Sequence, residues 1–146
     1  MGIGIYHSAI EIHGFEYEYG GNPNMFTTGV FKNIPKRQVQ QMTYKCSILL
    51  GKVKGPPGKV YDILEEVKEE FRANEYNVLT RNCNHFTDEF ARRLLNKRIP
   101  KFINRMALLG SICSCLLPPK MKFMNPVGAE GSTATMESSN RTQDSL

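Results

Sequence analysis

The chain has 146 residues and a mass of 16.6 kDa, room for one domain and a tail but not for two full domains, which commonly run ~100–150 residues each. With 40% apolar and 23% charged residues it is not one of the hydrophilic chains that cannot bury a core. The net charge of +5 permits a polyanionic partner. Four cysteines behind an N-terminus without a basic region, an apolar stretch or a cleavage site argue against a disulfide-stapled secreted scaffold, so a cytoplasmic or nuclear protein with reduced thiols is expected.

Residues 3–50 are rich in β-branched and aromatic residues, punctuated by turn clusters at Gly14, Gly20-Gly21-Asn22-Pro23-Asn24 and Asn33-Ile34-Pro35. This pattern predicts strands over Ile3–Ile12, Phe15–Tyr19, Thr27–Phe31 and Tyr44–Leu50, paired antiparallel through short connections. The segment Lys52–Gly58, with two prolines and two glycines, divides this β-rich half from a helical half. Beyond it Val60, Ile63, Leu64, Val67 and Phe71 recur at helical spacing, with Glu65, Glu66, Glu69 and Glu70 turned outward.

A second helix is expected after Asn82-Cys83-Asn84, with Phe86, Phe90 and Leu94 four apart and Arg92, Arg93, Lys97 and Arg98 at the end where cations suit the helix dipole. A third is expected from Lys101 to about Leu109. Strands first and helices later is an α+β pattern. Residues 1–117 read as the domain and 118–146, polar and without apolar period, as a disordered tail. The longest apolar run, residues 106–119, ends in two prolines and falls short of the ~20 residues that span a bilayer. Gly2 is not followed by the Ser or Thr that a myristoylation site requires; Tyr6 stands there.

Cys83 is the foremost candidate for chemistry. At a helix N-terminus, unpaired backbone N–H groups and the positive end of the dipole stabilise a thiolate, and the same groups can donate to an oxyanion. A lone cysteine is usually a small buried apolar residue; the polar neighbours of Cys83 and its place at the helix start favour the reactive reading. Asn82 and Asn84 are competent N-caps, and they are the candidates for orienting or oxyanion-binding side chains beside it. A nucleophilic cysteine needs a base brought to it by the fold. His85 is badly placed, since side chains two apart on a helix diverge, and it reads as a surface or capping residue; His13, before Gly14, reads as a solvated turn residue. His7 shares an expected strand face with Ile3, Ile5 and Ala9, apolar enough to pack on helices, where a histidine needs a partner. A satisfied core histidine remains the alternative at that position. Cys46 in its expected strand, and Cys113 and Cys115 near the end of the last helix, read as packing residues.

The stretch Gly4–Ile12, then Phe15–Gly21, then Asn82-Cys83-Asn84-His85-Phe86, then Ile99–Arg105 resembles the PPPDE, or desumoylating-isopeptidase-like, family of permuted papain-fold cysteine peptidases. The likeness spans residues 3 to about 117 and is nearer the type described as acting on ubiquitin. It implies a permuted papain-like fold, an antiparallel sheet packed against three helices. It further implies a dyad with Cys83 as nucleophile and His7 as base, no obligatory third member and no cofactor. The implied activity is removal of ubiquitin or a ubiquitin-like modifier from lysine; hydrolysis of palmitoyl thioesters would use the same dyad. Family members usually carry another strand before the one bearing the histidine, so either the sheet is expected to be a strand short or the sequence lacks its front.

Two non-enzymatic classes compete. A nucleic-acid module would use the basic surface, but the charge lies in two blocks, residues 31–59 and 81–105, separated by an acidic one, without a recognisable binding motif. A zinc module would use Cys83, His85, Cys113 and Cys115, but each pair is separated by one residue where zinc knuckles favour two to four. Neither nucleic acid nor metal is therefore expected as a partner.

Overall fold

The structure, a computed structural model, describes residues 6–36 and 43–105. Its sheet has three antiparallel strands in the order β1 (Ile10–Ile12), β2 (Phe15–Tyr19), β3 (Val30–Asn33). Two helices follow, α1 (Lys59–Glu70) and α2 (Cys83–Leu95), with a single 3₁₀ turn at Ala73–Glu75 between them. The architecture is α+β.

β1 and β2 are joined by the two-residue turn His13-Gly14, both residues at positive φ (52° and 79°). That conformation matches the right-handed twist of a hairpin, and a glycine in second place adopts it without a Cβ clash. β2 and β3 pair from Tyr19↔Val30 to Glu16↔Asn33 across a longer loop. Gly29 closes that loop: its N–H donates to Phe71 O at 2.8 Å, and a Cβ there would lie 2.5 Å from Gly20 O and from the Tyr19 ring.

The core forms where the apolar stripes of both helices meet one face of the sheet. Val60, Leu64 and Val67 of α1, then Phe71, pack with Phe86, Phe90 and Leu94 of α2 and with Tyr17, Tyr19 and Val30. Tyr19 and Phe86 are fully buried, Phe71 and Phe86 meet edge-on at 5.5 Å, and the Tyr19 hydroxyl donates to Arg72 O at 2.8 Å. Arg93 ties the helices outside the core, bidentate to Glu70 at 2.8 Å and bonded to Glu89 at 2.7 Å.

Several expected elements differ. Among the described residues the first strand covers Ile10–Ile12, and residues 6–9 approach it without a ladder of their own. The third strand is shifted to Val30–Asn33, with Thr28 in an isolated bridge to Arg72. Residues 43–50 form no strand: Tyr44, Ile48 and Leu49 are exposed. Cys46 is exposed as well, not a core residue. An apolar run becomes a strand only where another strand satisfies its backbone groups, and among the described residues none pairs with this one. Residues 101–104 form a turn where the third helix is expected to begin; its remainder from residue 106, Cys113, Cys115 and residues 118–146 lie outside the described residues.

Candidate functional site

Cys83 is the first residue of α2, and the cap before it is built by side chains. Asn82 Oδ1 accepts from the N–H groups of Asn84 (3.0 Å) and His85 (3.1 Å), and His85 Nδ1 accepts from the Asn82 N–H at 3.1 Å. This reciprocal box satisfies backbone donors that a helix start otherwise leaves unpaired. It also fixes His85 as a capping residue. Burial holds the His85 imidazole below its ordinary pKa, and its ring is committed to the backbone rather than to the thiol.

The fold brings His7 to Cys83 by a different route from the one the sequence pattern suggests. The side chain that enters the helix-packed face is Ser8: its hydroxyl donates to Asn84 Oδ1 at 2.6 Å and lies 2.7 Å from Thr87 Oγ1. Ile10 and Ile12, on the parity of Ser8, pack against the core. His7 has the opposite parity and turns to Glu18, donating from Nε2 to Oε2 at 2.8 Å. Ile3 and Ile5, the expected apolar neighbours of His7, lie outside the described residues.

Asn84 is the clamp that sets His7 beside the helix start. Its Nδ2 donates to Tyr6 O at 3.0 Å and to Ile103 O at 3.3 Å, while its Oδ1 accepts from Ser8. The residues on both sides of His7 are thus held by one buried side chain of α2. Asn82 is committed elsewhere, its Nδ2 donating to Val78 O at 2.7 Å. The two asparagines therefore cap and clamp; since the N–H groups of Asn84 and His85 are engaged by the cap, the Cys83 N–H is the donor at the head of α2 suited to an oxyanion.

Electrostatics couples these groups. Burial alone would push the Cys83 thiol up; the hydrogen bond and charge of His7, the backbone of Ser8 and the hydroxyl of Tyr76 outweigh it and lower the thiol pKa. For His7, burial alone would depress the imidazole, but Cys83 and Glu18 raise it to about 10. Glu18 is only 4% exposed. Burial would raise its carboxyl, whereas the bonds from His7 and from Asn33 Nδ2 (2.7 Å to Oε1) hold it below the usual value. The shifts of Cys83 and His7 thus run in opposite directions, each favouring the charged form of its group.

The sequence matches the family described as "PPPDE putative peptidase domain" over residues 1–121. The chain belongs to the PPPDE family. It is 41% identical over 116 residues to a protein of Caenorhabditis elegans named desumoylating isopeptidase 1 homolog, a match covering 77% of this chain and 34% of that protein. A DeSI-like protein of Arabidopsis thaliana is 38% identical over 123 residues, covering 84% of this chain and 54% of that protein. The human desumoylating isopeptidase 1 is 29% identical over 114 residues, covering 68% of this chain and 56% of that protein. The chain therefore spans between about a third and somewhat more than half of these PPPDE relatives.

Glu18 and Tyr76 are the two residues at the site that sequence pattern missed. Glu18 sits in Phe15-Glu16-Tyr17-Glu18-Tyr19, where alternation marks it only as lying opposite the tyrosines. Tyr76 lies in an irregular stretch before α2, and nothing in its neighbours points to a thiol. Among the described residues no group of three or more His, Cys, Asp or Glu could hold a metal ion, and none of the helices is long and apolar enough to cross a membrane.

Proposed function

We propose that the chain is a thiol hydrolase that cleaves the isopeptide bond between a ubiquitin-like modifier and lysine, with Cys83 as nucleophile and His7 as general base and acid. One observation carries this reading: a thiol at a capped helix start, lowered in pKa, coupled to an imidazole whose far nitrogen is held by a carboxylate. In the reaction the Cys83 thiolate attacks the modifier's terminal carbonyl and the oxyanion takes the Cys83 N–H, the donor at the head of α2 that the cap leaves. The His7 imidazolium gives its proton to the departing lysine amine. Water, deprotonated by His7, then adds to the thioester, and the collapse returns the thiolate and releases the carboxylate. No cofactor enters.

The order of the elements, histidine segment before cysteine helix, fits a permuted papain-like fold. The names of the relatives favour a SUMO-like modifier, whereas the Ile99–Arg105 block favours ubiquitin, and the test includes both. A working thiolate suits a reducing compartment, cytoplasm or nucleus. The basic residues in and just after α2 favour no nucleic acid: Arg92, Arg93 and Arg98 are paired with Glu89, Glu70 and Asp88.

The deciding experiment treats wild type, Cys83→Ala and His7→Ala with SUMO and with ubiquitin, each carrying a C-terminal thiol-reactive electrophile. One or both probes are expected to form an adduct with wild type, none with Cys83→Ala and markedly less with His7→Ala. An adduct that persists in Cys83→Ala refutes the assignment. No adduct with either probe, while a palmitoyl thioester is still turned over by Cys83, transfers the same dyad to depalmitoylation.

A further inference from the structure

The expected unit is a dyad, yet His7 has a buried carboxylate on its far nitrogen. Both oxygens of Glu18 are occupied, Oε2 by His7 Nε2 at 2.8 Å and Oε1 by Asn33 Nδ2 at 2.7 Å, and its side chain is 5% exposed. Glu18 stands on β2, the central strand of the sheet, and Asn33 on β3 lies diagonally across the same face, since Glu16 is the residue directly opposite it. His7, by contrast, belongs to a segment without a ladder. Its neighbours are held by Asn84, through the Tyr6 carbonyl and the Ser8 hydroxyl, but the direction of its ring is set from the sheet. We infer that Glu18, pinned by Asn33, is the positioning residue of the His7 base, so that the working unit is Cys83, His7 and Glu18 rather than a dyad.

The inference rests on the proposed thiol chemistry and adds a mechanism to it. A carboxylate accepting from Nε2 fixes the proton there, which leaves Nδ1 as the nitrogen that exchanges a proton with the thiol. A buried carboxylate is costly unless paired and hydrogen-bonded. A purely structural anchor at this position would be served as well by a neutral amide. The negative charge has a function only if its partner becomes an imidazolium, as His7 does when Cys83 ionises. The other titratable group at the pair is Tyr76, on the thiol side; the remaining contacts there are the Ser8 backbone and the Asn84 amide.

The test is the pH profile of Cys83 alkylation by iodoacetamide, read on the Cys83 peptide by mass spectrometry, in wild type, Glu18→Gln, Glu18→Asp and Asn33→Ala. Glu18→Gln keeps volume and a hydrogen-bond acceptor but removes the charge. Its profile is expected to move up by about one pH unit or more, making alkylation on the acid limb of the profile at least ~10-fold slower. Glu18→Asp restores part of the shift, and Asn33→Ala gives a smaller shift in the same direction. A Glu18→Gln profile superimposable on wild type overturns the inference while leaving the Cys83–His7 chemistry standing. A wild-type Cys83 that titrates like an ordinary thiol sinks both. Should the variants fail to fold, wild type labelled with ¹⁵N-histidine decides: a His7 Nε2 that stays protonated through neutral pH supports the role, and a neutral ring protonated on Nδ1 at pH 7 refutes it.

Discussion

Asn84 offers the sharpest test of how the site is assembled, because one buried side chain joins three separate parts of the chain. Substitution by alanine removes the bonds to Tyr6 O, Ile103 O and the Ser8 hydroxyl. At ~0.5–1.5 kcal/mol net for each bond, with some of the freed groups recovering water, the loss should be about 2–3 kcal/mol. For a domain of this size that corresponds to a fall in Tm of roughly 10–20 °C. The loss should be spatially confined. Amide exchange should accelerate across residues 6–9 and near Ile103, while α1 and the later turns of α2 exchange only as global stability dictates. With its flanks released, His7 should drift from Cys83 by an ångström or more, at a cost of ~10²-fold in kcat/KM. Calorimetry, exchange and probe turnover on Asn84→Ala check the three levels separately. A Tm within about 2 °C of wild type, or unchanged exchange at residues 6–9, would refute the idea that this clamp holds the histidine segment.

Two further outcomes follow from the packing and the charges. Phe86→Ala empties a fully buried position among Tyr19, Phe71 and Phe90 and should cost ~3–5 kcal/mol, visible as a lower urea midpoint with an unchanged slope; a loss below ~1 kcal/mol would mean that this ring is not at the centre of the core. Probe reaction rates should be bell-shaped in pH, falling on the acid side as Cys83 gains a proton below its ordinary thiol value and on the alkaline side as His7 loses one near pH 10. The matching stability terms have opposite signs. The raised His7 contributes fully below its unfolded value of about 6.5 and is lost as pH rises through about 10, whereas the lowered Cys83 contributes above its unfolded value and is lost as pH falls through its folded one. Urea titrations of wild type and His7→Ala across that range check the first term, which should vanish in the variant.

The helices were legible in the sequence because their signals are local. Spacing of 3.6 located Val60, Leu64 and Val67 on one stripe, and the two asparagines flanking Cys83 located the start of α2 to within a residue or two. His85 was legible as a cap for the same reason: the geometry of one helical turn excludes it from the thiol. Strand extents were not legible, because a strand is defined by its partner. The apolar residues of 3–12 and 44–50 carry the right composition, yet among the described residues only Ile10–Ile12 of the first stretch has a ladder with β2, and residues 43–50 have none. The facing of His7 failed by one register step. A period-2 pattern reads equally well from either parity, and Ile10 and Ile12 claimed the core that Ile3 and Ile5 were expected to share with it.

That one-step difference changes how the site works. Had His7 shared the helix-packed face, it would have sat among core residues with no anchor on its far nitrogen, and without Glu18 to offset the burial that opposes its charge. Turned to the opposite face, it meets Glu18 eleven residues along, while the Ser8 and Tyr6 backbones on either side remain fastened to α2. The two faces of the sheet are thereby joined at one imidazole, one side supplying a carboxylate and the other a thiol at the positive end of a helix. Charge separation between Cys83 and His7 needs both. The helix start and the carboxylate each stabilise one half of the ion pair, and burial, which opposes either charge alone, strengthens their attraction once both are present.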